Sequence, residues 1–268
     1  MKLDKSLVTV KWLNEHLDDQ NLVILDGTIN KVISNQSLKI KNARFFDIKQ
    51  KFSDTKASFP NTLPTQKQFE TETRQLGIDN SSAIVVYDDR GIYSSARVWW
   101  LFHLFGFENI AVLDGGFPLW NKRNFEIELY DSQNFNFGNF NAKFNPDKLI
   151  KFEEIIHLQT NDNYQIIDVR SEERFLEKID EPREGLRRGK IPNSINLPYE
   201  YILENGKLKS KKELIDIFKV LNFKNKTLIF SCGSGVTACI AALAANLIGI
   251  NNYMIYDGSW TEYGTLTN

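Results

Sequence analysis

The sequence predicts an α/β protein made of two similar domains in tandem, each a parallel sheet flanked by helices. Two observations carry this reading: the chain is written twice, and each copy alternates short apolar runs with helix-like runs. Leu22-Val23-Ile24-Leu25-Asp26 reads as a strand ending in an acid, and Gln165-Ile166-Ile167-Asp168 repeats it 142 positions later. Ala43-Arg44-Phe45-Phe46 is answered by Ser194-Ile195-Asn196-Leu197. Ala83 to Asp88 is answered by Lys226 to Cys232, with Asp88 and Cys232 offset by 144. Val112-Leu113-Asp114-Gly115-Gly116 is answered by Ile255-Tyr256-Asp257-Gly258-Ser259, offset by 143 at the aspartate. The pairs keep their order. The strand-like runs are almost continuously apolar, as strands covered on both faces are. The helix-like runs are Leu7 to Leu17, Ser94 to Phe105, Lys211 to Leu221 and Ala238 to Ile248. Between the copies, Asp131 to Asp147 is rich in Asn and Phe and weakly periodic. The expected division is a first domain over 1–130, a linker over 131–147 and a second domain over 148–268. The phenylalanines of the linker suggest that it packs across the domains.

Composition narrows the function classes. The chain has 268 residues, 42% hydrophobic and 25% charged, with a net charge of -1. These are ordinary values for a globular protein, and the balanced charge argues against a nucleic-acid binder. No apolar run approaches the ~18–20 residues that span a bilayer, so no membrane partner is expected. The N-terminal residues lack a secretory apolar run, which makes the cytoplasm the expected compartment. The two cysteines, Cys232 and Cys239, follow one strand too closely for a disulfide, with Cys239 expected two turns into the next helix. The three histidines, His16, His103 and His157, are scattered. No metal site is indicated. His103, within an aromatic run, reads as a core or boundary residue.

The chemistry is concentrated in Cys232-Gly233-Ser234-Gly235-Val236-Thr237. The apolar run Thr227 to Phe230 leads into Cys232, and a helix-forming run begins at Ala238. Glycine reaches backbone angles closed to other residues. Successive N–H groups can then turn inward at a helix N-terminus and form a nest for an anion. A cysteine held there favours the thiolate, the nucleophilic form. The plainer alternative, a small buried residue at a strand end, does not account for the glycine spacing. The first copy carries Asp88 where the second carries Cys232, and an aspartate cannot perform thiol chemistry. The second copy is thus expected to hold the nucleophile and the first to shape the cleft.

With these residues in view, the chain resembles the tandem-domain rhodanese sulfurtransferases, and within them the 3-mercaptopyruvate branch. The resemblance runs through Ala43-Arg44-Phe45-Phe46-Asp47-Ile48, Ala96-Arg97-Val98-Trp99-Trp100, and Leu113-Asp114-Gly115-Gly116 with Trp120. It continues through Arg174-Phe175, Glu181-Pro182-Arg183, Gly189 to Ser194, Cys232 to Cys239, and Tyr256-Asp257-Gly258-Ser259-Trp260. It implies two rhodanese-like domains and no cofactor. It implies a Cys232 persulfide, loaded from 3-mercaptopyruvate with release of pyruvate, then unloaded to a thiol, a thioredoxin-like protein or cyanide. It implies that Arg174 and Arg183 bind the donor carboxylate, for which a planar guanidinium fork is suited. Gly233, Ser234, Gly235, Val236 and Thr237 would cradle the donor. In the thiosulfate branch the two residues after the cysteine are basic, whereas Gly233 and Ser234 are neutral. Thiosulfate as donor is the alternative reading, and a non-catalytic rhodanese-like binding module a further one.

The pattern also departs from the family. Some members are proposed to use a serine–histidine–aspartate relay beside the cysteine. Ser234 matches its serine, but the aspartate falls at Lys49 and the histidine near Asn61. The relay is expected to be absent or rebuilt. Lys190 replaces a usual histidine before Ile191. A cysteine phosphatase would need an arginine where the chain has Ala238.

Overall fold

The computed structural model describes residues 1–130, 135–221, 223 and 226–267. Contacts divide the chain into two units. The first comprises Met1–Thr55, Leu63–Phe144 and Asn205–Leu208. The second comprises Lys56–Thr62, Asn145–Glu204 and Lys209–Asn268. Residues 131–134 of the expected linker lie outside the described residues. Its later part packs in the first unit, where Phe140 is buried against Phe69, Phe102 and Phe107.

The first unit contains β1 (Leu7–Thr9), α1 (Val10–Glu15), β2 (Leu22–Asp26), β3 (Leu38–Ile40), β4 (Arg44–Phe45), α2 (Gln66–Gln75), β5 (Ala83–Tyr87), α3 (Ser95–Leu104), β6 (Ile110–Asp114), α4 (Gly116–Lys122) and β7 (Ile127–Leu129). Its sheet has the order β1-β6-β5-β2-β4, parallel at every pairing. The run from Leu7 is not one helix. Val8 and Thr9 favour extended backbone, and Thr9 accepts a bond from the Trp12 N–H at 3.1 Å, so the helix starts only at Val10.

The chain continues with β8 (Leu149–Ile150), α5 (Phe152–Leu158), β9 (Tyr164–Asp168), α6 (Glu172–Phe175), β10 (Ile195–Asn196), β11 (Leu203–Glu204), β12 (Lys207–Leu208), α7 (Lys211–Val220), β13 (Thr227–Ser231), α8 (Ala238–Leu247), β14 (Tyr253–Tyr256) and α9 (Ser259–Leu266). The second sheet runs β10-β9-β13-β14-β8, again parallel throughout. Read from the other edge, the first sheet has the same order under the internal repeat. The register repeats as well: Asp26 faces Tyr87, and Asp168 faces Ser231.

Local chemistry fixes the elements that hold the site. Ser210 and Glu213 cap α7 reciprocally, and Leu214 and Phe218, one turn apart, bury its apolar face. α8 is buried from Ala238 through Ala245. Its small residues let it lie inside the unit, so the loop that precedes it is anchored by the core at both ends. Buried Trp260, Tyr256 and Ile229 belong to one apolar cluster beneath that loop.

Candidate active site

Six residues, Cys232 to Thr237, link β13 to α8. The C-terminal end of a parallel strand is where such folds place their ligands. Cys232 is buried, and both cysteines are free thiols. The loop is tied to the first turn of α9. The Cys232 carbonyl accepts from the Trp260 N–H at 3.0 Å. The Gly233 carbonyl accepts from the Thr261 N–H at 2.9 Å and from its hydroxyl at 2.5 Å. The Cys232 N–H donates to Ser259 Oγ at 3.0 Å, and that oxygen lies 3.8 Å from Cys232 Sγ. Ser259 donates in turn to the Tyr256 carbonyl at 2.9 Å. Ser259 is fully buried with φ +51, a left-handed backbone unusual for a serine. Within the loop itself Gly235, at φ +74, is the left-handed residue, not Gly233. Val236 is buried, and Thr237 sits at the N-terminal boundary of α8. Cys239 falls in the first turn of α8, not two turns in, with Sγ 3.3 Å from the Gly235 carbonyl. It ties the loop down from within the core.

The arginines lie beside this loop. A side chain started at Gly233 would meet Arg174 Nη2 at 3.0 Å, so the glycine leaves room for that guanidinium. Arg174 is held through Nε and Nη2 by the buried Glu181, at 3.2 and 2.5 Å. Glu181 also takes Arg170 Nη1 at 2.8 Å, and Arg170 binds Asp168 at 2.6 Å. Arg170 and the two carboxylates are almost wholly buried, and burial of that charge is sustained only by this complete pairing. Arg183 forms no ion pair among the described residues. Burial, then the charge of Arg174, push its guanidinium below the ordinary arginine range, while Cys232 and Glu181 pull it back. It is therefore electrostatically coupled to both the thiol and the other arginine. Arg187 is committed elsewhere, to the carbonyls of Gly264 and Thr267 at 3.1 and 3.3 Å. Arg188 pairs with Asp180 at 2.9 Å. Lys190 lies over the Phe175 ring.

Four contributors were given no role from the sequence: Thr261, which went unnoticed, Glu181 and Ser259, which stood only inside family motifs, and Asn61, which marked only where a relay histidine was missing. Asn61 is buried and its Nδ2 donates to Ser234 Oγ at 3.0 Å and to the Ser234 carbonyl at 3.2 Å. The repeat held the one clue to Ser259. Its counterpart is Gly116, whose φ is also +51. Where a left-handed glycine is replaced by serine, the new side chain has been given something to do.

The counterpart loop in the first unit is Asp88 to Ser94, between β5 and α3, and is one residue longer. The Asp88 carbonyl accepts from the Phe117 N–H at 3.0 Å, just as Cys232 accepts from Trp260. The Asp88 carboxylate is fully buried and turned into its own loop. Oδ1 accepts from the Arg90 N–H at 2.9 Å. Oδ2 accepts from the N–H groups of Tyr93 and Ser95, at 2.7 and 2.9 Å, and from the Ser95 hydroxyl at 2.6 Å. An aspartate thus fills the nest of its own loop.

The chain matches known proteins over nearly its whole length. The rhodanese-like domain family model matches residues 9–123 and 151–265. The 3-mercaptopyruvate sulfurtransferase of Escherichia coli (strain K12) is 36% identical, over 96% of this chain and 94% of its own length. The thiosulfate/3-mercaptopyruvate sulfurtransferase 1, mitochondrial, of Arabidopsis thaliana is 36% identical over 97% of this chain and 76% of its own. Among solved structures, SseA from Escherichia coli, described with the rhodanese fold of 3-mercaptopyruvate sulfotransferases, superposes with a TM-score of 0.83 at 33% identity. That match covers 96% of this chain and 99% of the other. No helix among the described residues is long and apolar enough to cross a membrane.

Proposed function

Because this chain belongs to the rhodanese family, with one such domain in each half, we propose that it is a sulfurtransferase that takes sulfur from 3-mercaptopyruvate. Cys232 is the nucleophile. Its thiolate attacks the sulfur of the donor, an S–S bond forms, and the donor's C–S bond breaks with its electron pair leaving on the pyruvate enolate. The proton of the donor thiol ends on the enolate carbon. The products are pyruvate and a Cys232 persulfide. A thiol, a thioredoxin-like protein or cyanide then removes the outer sulfur in a second half-reaction, as covalent catalysis requires.

The observation that carries the donor class is the placement of Arg174 against Gly233. The loop brings backbone dipoles but no cationic side chain to the thiol, so a donor carboxylate must be met from the side. Glu181 occupies the Nε edge of Arg174 and leaves the outer guanidinium edge for a ligand. Arg183 supplies a charge that no carboxylate pairs with directly among the described residues. Mercaptopyruvate carries one carboxylate, which two guanidinium groups can share. Thiosulfate carries two charges and needs more. It remains the second reading, because Arg183 interacts electrostatically with Cys232 and the Arabidopsis relative is named for both donors. The cytoplasm is the compartment we favour, since a nucleophilic thiol such as Cys232 needs reducing surroundings to stay available.

The test is a donor comparison on the purified protein. Mercaptopyruvate should load one sulfur onto Cys232, read by intact mass, with a higher kcat/KM than thiosulfate. The double change Gly233→Arg with Ser234→Lys should shift the ratio toward thiosulfate, although the guanidinium introduced at position 233 must displace Arg174. A native protein that prefers thiosulfate would reverse the donor assignment. A protein loaded by neither donor would overturn sulfur transfer itself.

A further inference from the structure

Asn61 is an unusual residue in an unusual place. It lies in the short stretch Lys56–Thr62, which packs with the second unit although the chain before and after it packs with the first. Its backbone is left-handed, φ +60, a conformation that asparagine tolerates better than most residues. It is 7% exposed. Its amide reaches a loop 173 positions away and makes two bonds to a single residue, Ser234. The two bonds define the chemistry. A backbone carbonyl can only accept, so the end of the amide that faces the Ser234 carbonyl is the nitrogen. The same nitrogen then donates to Ser234 Oγ. A hydroxyl has one proton and two lone pairs. With a lone pair taken by Asn61, the Ser234 proton is left for an acceptor outside that pair, two residues from Cys232.

We propose that Asn61 is a positioning residue that fixes the Ser234 hydroxyl as a hydrogen-bond donor to the sulfur donor bound over Cys232. This rests on the sulfur-transfer reading above. The acceptor that gains most is the oxygen of the departing pyruvate enolate, because it collects negative charge as the C–S bond breaks. An asparagine and a serine do not titrate near neutral pH. The arrangement therefore supplies a donor of fixed polarity whose contribution does not change with pH. A side chain that titrates at position 61 would make the same contact pH-dependent.

The experiment is a double-mutant cycle with Asn61→Ala, Ser234→Ala and both together, followed through kcat and KM for whichever donor loads Cys232. A lost hydrogen bond to a group carrying charge predicts about a tenfold fall in kcat for each single variant. The double variant should be no slower than Ser234→Ala alone, because without the hydroxyl Asn61 has nothing to orient. A purely structural clamp predicts otherwise. Asn61 would still hold the Ser234 carbonyl, so the two losses would multiply. Asn61→Asp provides an isosteric check. An ionised carboxylate accepts the Ser234 proton and reverses the bond, so activity relative to the native protein should fall at neutral pH and recover on acidification. The alkylation rate of Cys232 by a neutral reagent reports an intact loop in every variant. Multiplicative losses, full activity in Asn61→Ala, or an Asn61→Asp ratio that is flat with pH would each overturn the proposal. A native protein that no donor can load would overturn the underlying function instead.

Discussion

The Asp88 loop and the Cys232 loop begin from the same strand position and end at the same helix boundary, yet they solve opposite problems. Each anchors its first carbonyl on the start of a later helix, at Phe117 in one and Trp260 in the other. In the first, the side chain at the strand end is a carboxylate-bearing aspartate, and three N–H groups and a hydroxyl close around it. In the second, the side chain at that point is a free thiol with no such ring of donors around it among the described bonds. The loop there is shorter by one residue, and its surroundings are cationic. The comparison teaches that anion-cradling geometry belongs to the fold of each domain. Reactivity comes from what stands at the strand end and from which charges are gathered beside it.

The largest effect should come from making the second loop resemble the first. Cys232→Asp or Cys232→Ser should reduce sulfur transfer by about 10³-fold or more, as loss of a nucleophile does, with no added sulfur detectable by mass. Cys239→Ala should retain transfer. Persistent turnover in the Cys232 variants would break the assignment. The reverse exchange sharpens it: Asp88→Cys in a Cys232→Ser background should stay inactive, because an anion nest alone does not provide Arg174 and Arg183. If sulfur loads there, the arginines matter less than the loop.

Removing the internal anion should cost stability and leave chemistry nearly intact. Asp88→Ala strands four donors, of which the Ser95 N–H and hydroxyl are buried and those of Arg90 and Tyr93 partly so, and each unsatisfied buried donor costs about 1–3 kcal/mol. A loss above about 3 kcal/mol is expected in denaturant unfolding, partly restored by millimolar formate or acetate that refills the nest. No restoration by any small anion would show that the vacated nest collapses. Smaller in free energy are the two arginines. Arg174→Ala and Arg183→Ala should each lower kcat/KM for mercaptopyruvate about tenfold, the worth of a charged hydrogen bond, while alkylation of Cys232 changes much less. Equal losses in both assays would point to a disturbed loop. Arg174→Ala also leaves Glu181 with Arg170 alone, so its unfolding should be measured alongside.

The smallest effect is expected at Ser259. Ser259→Gly recreates the residue of the first unit at this position. It relieves a left-handed serine, worth about 1 kcal/mol, and loses the hydrogen bonds with Cys232 and Tyr256, about 1 kcal/mol each. Stability should change by about 1 kcal/mol, with a several-fold slowing of transfer. Unchanged transfer would mean that the Cys232 N–H does not need this partner.

Much of this was legible in the sequence because it was local or repeated. The strands from Leu22 to Asp26 and from Gln165 to Asp168 announced themselves by apolar runs closed by an acid, and the glycine-bearing loop after β13 pointed to Cys232. The start of the chain misled, because Leu7 to Leu17 has a helical period while Thr9, a capping residue, cuts a strand from it. What the sequence could not show was contact across long separations. Only the outline of a missing relay set Asn61 near Ser234, 173 positions away, and nothing in the residues themselves marked the two bonds between them. Either glycine of the loop could have been the one needing unusual backbone angles. The need lies at Gly235, and Gly233 is small because Arg174 stands against it.

Connectivity has a consequence for anyone who would cut this chain in two. A cut after Phe144 would appear to free one repeat from the other, yet each fragment would lack a piece of itself. The N-terminal fragment would lose Asn205–Leu208, including Gly206, whose backbone lies so close to Gly91 that a single added carbon would collide with it, and Lys207, the partner of Asp114 at 3.2 Å. The C-terminal fragment would keep the nucleophile but lose Asn61. The repeat gives two units, but because each takes in a few residues from the other's stretch of sequence, only the undivided chain holds both units whole.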